Sequence, residues 1–260
     1  MTVLRIAELE IASERAPLHA LSLTVEAGEV VGVVGDPGGG TEVLGAALLG
    51  RLRAGEQIVS GAIELITPAS TIALHRRTPR GLRAVHDEIG ELGAGTPPSV
   101  VAIACDPGFA APPGERAWWY GRARSASEQG AGVLLLTPDI QAAVQHCARI
   151  AIVFAGRLVE LADAAELAEG PEHPVTAELL ANRVAIGGQR DLGRDRAPRP
   201  PPERAARGCA FHRRCAFTRE QCRAVVPPLV EAAPDHLSAC VLAPWQPGRL
   251  LAAPGLRGPR

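Results

Sequence analysis

The sequence contains no lysine, so arginine supplies all 27 of its basic residues. Aromatic residues make up only 3% of the 260 residues. Apolar runs such as 134–136 and 150–154 are far shorter than the roughly 20 residues of a membrane-spanning helix, and the first residues do not resemble a secretory signal. A formal net charge of −1 gives no broad field that would attract nucleic acid. These absences favour a soluble cytoplasmic protein, at most peripheral to a membrane, with no nucleic-acid partner.

The apolar content of 47% is sufficient for an ordinary buried core. Alternating or continuous apolar runs of four to eight residues predict strands, and longer segments with helical periodicity predict helices. The strands are predicted at 3–6, 21–25, 30–34, 59–66, 100–105, 133–136 and 150–154, and the helices at 41–53, 117–129 and 140–149. This order predicts an α/β fold with a mainly parallel sheet covered by helices.

A glycine loop joins the predicted strand 30–34 to the helix that follows it. Such a loop can hold phosphate with its backbone N–H groups, while a lysine reaches the outer phosphates and a hydroxyl holds Mg²⁺. Here Thr41 stands in the lysine position and Glu42 in the hydroxyl position. Losing several charge-assisted bonds of about 1.5–3 kcal/mol each lowers nucleotide affinity by a factor of about a hundred or more. The candidate nucleotide-binding residues of this loop are Gly35, Gly38, Gly39, Gly40, Thr41 and Glu42; the alternative is a glycine-rich turn without a ligand.

The order of this loop and three later segments resembles the ATP-binding subunit of peptide-family ABC transporters. The later segments are 132–139, 148–160 and Glu172-His173-Pro174. The resemblance implies a P-loop NTPase-like ABC nucleotide-binding domain that binds ATP. It also implies two kinds of partner, a second cassette subunit and the membrane permease subunits of a peptide (oligopeptide/dipeptide) importer.

Several positions depart from the family's catalytic set. Pro138 stands where the family has its switch histidine, and proline cannot hydrogen-bond a γ-phosphate. One alignment places Cys105 in the Mg²⁺-binding position and Asp106 in the base-like position. A second alignment instead places Pro112 and Pro113 in the acidic positions. The acidic pair is incomplete in both alignments, and Asp106 is the remaining candidate of the nucleotide site.

The stretch between the glycine loop and Cys105 is little more than half as long as in intact family members. It contains no Leu-Ser-Gly-Gly-Gln signature, and residues 8–20 include no aromatic that could stack on adenine. The resemblance therefore implies a truncated helical subdomain. In an intact pair, each composite site combines the loop of one subunit with the signature of the other, so we predict weak or no ATP hydrolysis.

Four cysteines lie close together near the end of the sequence, separated by five, six and seventeen residues. Four thiolates in one short segment suit an iron–sulfur cluster or tetrahedral zinc, and free thiols are the remaining alternative. The segment resembles the C-terminal extension of the same transporter family, which implies a [4Fe–4S] cluster. His212 and His236 are predicted near the metal or on the surface, with replacement of one cysteine ligand as the alternative. Nearby arginines would offset a cluster's charge or form a solvated basic face. The predicted metal ligands are Cys209, Cys215, Cys222 and Cys240.

We predict three regions: a degenerate ABC-type domain at 1–186, a Gly/Arg/Pro-rich linker at 187–206, and a Cys-rich extension at 207–260. The histidines at 19, 75 and 86 are expected on the surface, Trp118-Trp119-Tyr120 in packing contacts, and Cys147 in the core. Two functions follow. The first is a cassette subunit of a peptide importer, and the alternative is an iron–sulfur or zinc module on a cassette remnant that has left transport.

Overall fold

The structure is a computed structural model that describes residues 1–36, 38–76, 85, 87–93, 98–106, 113–181 and 207–245. The predicted linker at 187–206, His86, Pro107 and Pro112 lie outside these residues. The chain divides into two compact units, residues 1–158 and 159–260. In the described ranges, no helix is long and apolar enough to cross a membrane.

The first unit contains two sheets. Its strands are β1 (Thr2–Ala12), β2 (Leu18–Glu26), β3 (Val30–Gly35), β4 (Gln57–Ile66), β5 (Thr71–Ala73), β6 (Ile89–Glu91), β7 (Val101–Cys105), β8 (Gly132–Thr137) and β9 (Arg149–Phe154). Strands β9, β3, β8, β7 and β6 lie side by side in that order, and all of them are parallel. Every residue of β3 and β8 is buried, as the continuous apolar runs predict for central parallel strands. The predicted α/β fold with a parallel sheet is confirmed.

An antiparallel sheet forms the other layer of the first unit, in the order β2-β1-β4-β5. Burial alternates along much of β1 and β2, as expected when one face of a sheet covers a core. Both strands extend beyond the short segments that the sequence predicts. Pairing of β1 with β4 explains part of this extension. Cross-strand contacts stabilise a strand but leave no signal in the periodicity of its own sequence.

Three described helices accompany the parallel sheet: α1 (Thr41–Leu48), α2 (Pro113–Glu128) and α3 (Ile140–His146). The first ends earlier than the predicted residue 53. Gly50 adopts φ +66° and donates its N–H to the Ala47 carbonyl at 3.2 Å, which terminates the helix. The third also ends earlier than predicted, because Cys147 is extended and leads into β9. Local helical periodicity therefore identifies these helices but overestimates two C-terminal ends.

The second unit begins within β10 (Arg157–Asp163). Its further elements are α4 (Ala164–Glu169), α5 (Pro174–Ala181), α6 (Glu220–Ala224), β11 (Val230–Ala233) and β12 (His236–Ser238). Strand β12 pairs antiparallel with both β10 and β11. Asp235, at φ +56°, makes the tight turn between β11 and β12. Strands β10 and β12, together with residues at the start of α5, supply a buried polar cluster that is described below.

Candidate nucleotide loop and cysteine cavity

The glycine loop leaves the end of β3 and enters α1, the position that a phosphate loop requires. Gly38 and Gly40 have φ angles of +77° and +111°, conformations that side chains of L-residues rarely adopt. The Gly39 N–H donates to the Asp36 carbonyl at 2.7 Å, and the Gly156 N–H donates to the Gly39 carbonyl at 2.8 Å. The backbone frame of the predicted loop is therefore present and internally hydrogen-bonded.

The carboxylate of Glu42 occupies part of this loop. Its Oε1 accepts the Gly38 N–H at 2.9 Å. One backbone N–H group of the loop is therefore already hydrogen-bonded to a carboxylate of the same chain. Glu42 is exposed, whereas Thr41 is buried at the start of α1. A phosphate that approaches the loop is repelled by the Glu42 carboxylate. In the position where a lysine would attract the phosphate, the chain has the neutral, buried Thr41.

Asp106 follows β7, and its side chain is fully buried. Its Oδ2 accepts hydrogen bonds from the Tyr120 hydroxyl at 2.7 Å and from the Thr137 hydroxyl at 2.5 Å. The Arg116 guanidinium lies 3.6 Å from the same oxygen. These contacts hold the carboxylate in a static polar cluster, which opposes the proton transfer expected of a catalytic base.

Asp139 extends the same cluster to α3. Its Oδ1 accepts the N–H groups of Gln141 and Ala142 at the start of the helix, and Arg116 donates to its Oδ2 at 2.5 Å. An aspartate just before an apolar helix is a recognisable N-cap signal, which could have identified this role. The roles of Arg116 and Tyr120 have no local signal, because α2 brings them to Asp106 only through the fold.

The second unit brings the four predicted cysteine ligands to one cavity. The other residues that line it are mostly apolar, together with two histidines. The cysteines are Cys209, Cys215, Cys222 and Cys240, and the histidines are His173 and His212. In the part of the chain that the structure describes, no three histidine, cysteine or carboxylate side chains have the geometry of a metal site. The ligand assignment made from the sequence therefore stays a prediction.

Backbone N–H groups donate to two of the four sulfur atoms. The Phe217 N–H lies 3.4 Å from Cys215 Sγ, and the Arg219 N–H lies 3.4 Å from Cys222 Sγ. The His212 and Ala243 N–H groups donate instead to the carbonyl oxygens of Cys209 and Cys240, at 3.0 and 3.1 Å. Hydrogen bonds to sulfur stabilise negative charge on it, the environment that a metal-bound thiolate needs.

Burial raises the pKa of Cys209, Cys215 and Cys240. The pKa of Cys215 is raised to about 11, and those of Cys209 and Cys240 are raised above the usual range, in each case first by burial. Proximity of the other cavity cysteines adds to the rise. A metal that binds here must therefore displace thiol protons, and its affinity would increase with pH.

A buried carboxylate that the sequence analysis missed lies beside this cavity in the second unit. Glu160, fully buried on β10, accepts the Glu172 N–H at 2.6 Å, the His173 N–H at 3.0 Å and the Thr176 hydroxyl. His236 Nε2 lies 2.7 Å from its Oε1. Burial opposes charge on His236, but the hydrogen bond and charge of Glu160, together with the charges of Glu172 and Glu166, raise the pKa of His236. A single glutamate within the apolar run of β10 was the available signal.

The remaining candidate residues have ordinary structural surroundings. His75 is partly buried, and its Nδ1 lies 3.0 Å from the Ile63 backbone nitrogen. Tyr120 is buried and Trp119 packs on the core, whereas Trp118 is 43% exposed. Cys147 also packs against this core, as predicted. These observations give none of these residues a catalytic arrangement.

Comparison with known proteins relates the chain to peptide transporters. Residues 159–222 match the family described as the oligopeptide/dipeptide transporter C-terminal region. A putative peptide import ATP-binding protein of Brucella ovis is 34% identical over 127 residues, which cover 46% of this chain and 37% of that protein. The oligopeptide transport ATP-binding protein AppF of Bacillus subtilis is 30% identical over 42% of this chain and 34% of its own length. The chain thus spans little more than a third of these relatives.

Two solved structures have the same fold as the chain. One is an ATP-binding cassette of an ABC transporter in its ADP conformation, with a TM-score of 0.52 and 11% identity, covering 64% of this chain and 94% of that one. The other is a nucleotide-free ATP-binding cassette, with a TM-score of 0.50 and 11% identity, covering 63% and 92%. The predicted P-loop NTPase-like cassette fold is confirmed.

Proposed function

Because this chain is a relative of the ATP-binding subunits of oligopeptide and dipeptide ABC transporters, we propose that it serves a peptide importer as a cassette subunit with little or no ATP hydrolysis. The observation that supports this proposal most directly is the glycine loop, which keeps its backbone frame but has Glu42 bound to the Gly38 N–H. Binding of the Asp106 carboxylate by Tyr120 and Thr137 supports it independently.

The proposed role is structural or regulatory. The partners would be a competent second cassette subunit and permease subunits at the cytoplasmic face of a membrane. Any ATP bound by this chain would be held weakly, by the backbone of the loop and not by a lysine. The predicted boundaries at 186 and 206, which set the cassette apart from the Cys-rich extension, belong to the same proposal.

The purified chain should hydrolyse ATP more slowly than about 1 s⁻¹, the low end of ordinary enzyme turnover. The glycine loop has no lysine to bind the outer phosphates. The Asp106 carboxylate is hydrogen-bonded to Tyr120 and Thr137, which opposes its use in activating water. The measurement is phosphate release with saturating MgATP, with a competent cassette ATPase as the positive control. Co-purification with a second cassette subunit would support the transport role, and turnover well above that rate would contradict the loss of hydrolysis.

We further propose that the four-cysteine cavity holds a metal centre, either a [4Fe–4S] cluster or zinc. Cys209, Cys215, Cys222 and Cys240 would be its ligands, and the N–H groups at the sulfur atoms of Cys215 and Cys222 fit this chemistry. A cluster supplies one-electron chemistry or a cross-link, whereas zinc supplies only a cross-link. The same cavity favours the alternative function, a metal-binding module on a cassette remnant. Purification of a metal-containing chain without transporter partners would support this alternative.

Replacing a cavity cysteine should remove most of the bound metal. Cys222→Ser takes away one of four thiolate ligands, so iron, acid-labile sulfide or zinc per chain should fall to a small fraction of the wild-type content. The measurement is metal and sulfide analysis after anaerobic purification of the full chain.

The matched control is Cys147→Ser, which changes a thiol in the first unit that packs against an apolar core. This control should keep the metal. Because Cys222 is buried, the less buried Cys209→Ser provides a second variant, and circular dichroism checks that both variants fold. Equal metal content in wild type and both cavity variants would contradict the ligand assignment.

A further inference from the structure

Two segments of the first unit pack against the glycine loop. The first is the turn between β1 and β2, because a Cβ added to Gly38 would lie 3.8 Å from the Arg15 carbonyl oxygen. The second is the turn between β9 and β10, where the Gly156 N–H donates to the Gly39 carbonyl at 2.8 Å. A Cβ added to Gly40 would lie only 3.3 Å from Gly156 Cα. The loop and the two turns therefore form one packed surface of the first unit.

Each of the two turns carries an arginine. Arg15 is exposed, and Arg157, which directly follows Gly156, is partly exposed. In the described ranges, neither guanidinium group forms an ion pair or a hydrogen bond, whereas Arg51 and Arg149 are paired with glutamates. An arginine without a carboxylate partner is available to bind an external anion, and its planar guanidinium group can donate two hydrogen bonds to one phosphate.

The charge of Arg157 acts beside the loop. The ring of His19 lies against the turn between β9 and β10, since its Cδ2 would be 3.2 Å from a Cβ added to Gly156. The His19 backbone N–H also donates to the Gly156 carbonyl at 2.7 Å. Burial lowers the pKa of His19, and the charge of Arg157 lowers it further, while Glu10 opposes both effects. Because a charge shifts a pKa only from nearby, the Arg157 guanidinium lies close to this ring and to the turn that contacts the loop.

The glycine loop already binds a carboxylate, which shows that it accepts an oxyanion. The Gly38 N–H donates to Glu42 Oε1 at 2.9 Å. Gly40, the residue before α1, has no side chain that could cap the first N–H groups of the helix, and such groups need an acceptor. These donors favour negative charge at the start of α1, and the arginines of the two turns add positive charge beside it. A chain of phosphates offers oxygen atoms to both.

We propose that Arg15 and Arg157 bind the phosphates of a nucleotide from the two turns beside the glycine loop, and supply positive charge that a lysine in the position of Thr41 would otherwise provide. This inference rests on the nucleotide loop of the proposed function. Because both side chains contact solvent, water weakens their attraction for phosphate, which agrees with weak nucleotide binding.

Substitution of each arginine by glutamine removes its charge and keeps most of its length. Arg15→Gln and Arg157→Gln should each weaken the binding of MgATP by the full chain about fivefold, and the double variant should weaken it about twentyfold. Isothermal titration calorimetry at low salt measures these affinities. Arg15→Lys and Arg157→Lys keep the charge but lose the planar group, so their affinities should fall between those of the wild type and the glutamine variants.

Arg53→Gln is the matched control. Arg53 is exposed beyond the opposite end of α1, and in the part of the chain that the structure describes its side chain forms no ion pair. The control changes the net charge by the same amount and should leave the affinity for MgATP unchanged. Added salt should weaken MgATP binding to the wild type more than to the double variant, because screening acts on charges that the variant has lost.

Equal MgATP affinity and equal salt dependence in the wild type and the double variant would overturn the inference alone. An equal loss of affinity in Arg53→Gln would also overturn it, since the effect would then come from net charge. If the wild type binds no MgATP, nucleotide binding by this chain is contradicted, and the inference with it. The rate of ATP hydrolysis tests the proposed function separately.

Discussion

The double substitution Thr41→Lys and Glu42→Ser should raise the affinity of the chain for MgATP about a hundredfold. The lysine would supply the missing positive charge, and the serine would supply a hydroxyl for Mg²⁺. Removing Glu42 would also release the Gly38 N–H, which the carboxylate now holds at 2.9 Å. The backbone frame needs no change, because Gly38 and Gly40 already adopt their left-handed conformations.

Isothermal titration calorimetry with MgATP would measure this gain. Glu42→Gln is the matched control, because it keeps the length of the side chain and removes only its charge, and it should give a smaller gain. If the wild-type protein already binds MgATP as tightly as the double variant, the conclusion that Thr41 and Glu42 weaken nucleotide binding would be contradicted. Turnover should stay low in all three proteins, since Asp106 remains bound by Tyr120 and Thr137.

The substitution Glu160→Ala should lower the free energy of unfolding by about 3–5 kcal/mol, the cost of breaking a buried ion pair from one side. The change leaves His236 buried without its partner and removes the acceptor of the Glu172 and His173 N–H groups. Because natural domains are stable by only about 5–15 kcal/mol, the second unit would become marginal.

Urea denaturation of the full chain, followed by circular dichroism, would measure the change. Glu231→Gln is the control, because Glu231 is an exposed residue of β11 in the same unit and its loss should cost less than about 0.5 kcal/mol. Glu160→Gln keeps most of the side-chain volume and should fall between the two. Equal stability of Glu160→Ala and the control would contradict the structural role of the cluster.

Local periodicity was sufficient to predict the strands and helices that position the glycine loop. Buried runs such as Val30–Gly35 identify central strands because both faces of a parallel sheet are covered. The helix after the loop was predicted to extend to 53, since the left-handed conformation of Gly50 depends on how the chain turns back. The grouping of the four cysteines in one cavity agrees with their closeness in sequence.

The two polar clusters could not be predicted in the same way. Arg116 and Asp106 are ten positions apart, and Glu160 and His236 are separated by 76. Contacts at such separations depend on strand order and on the approach of a helix, which single-sequence patterns do not encode. Apart from the N-cap signal of Asp139, the signal in the sequence was the placement of Glu160 in an apolar strand, since a buried carboxylate needs a partner.

Burial of three cavity cysteines also affects the chemical durability of the chain. Oxidants and alkylating agents attack the thiolate form, and a pKa of about 11 at Cys215 leaves only a minute fraction of it at neutral pH. The raised pKa values of Cys209 and Cys240 act in the same direction. Cys209, Cys215 and Cys240 should therefore resist sulfenic acid and disulfide formation.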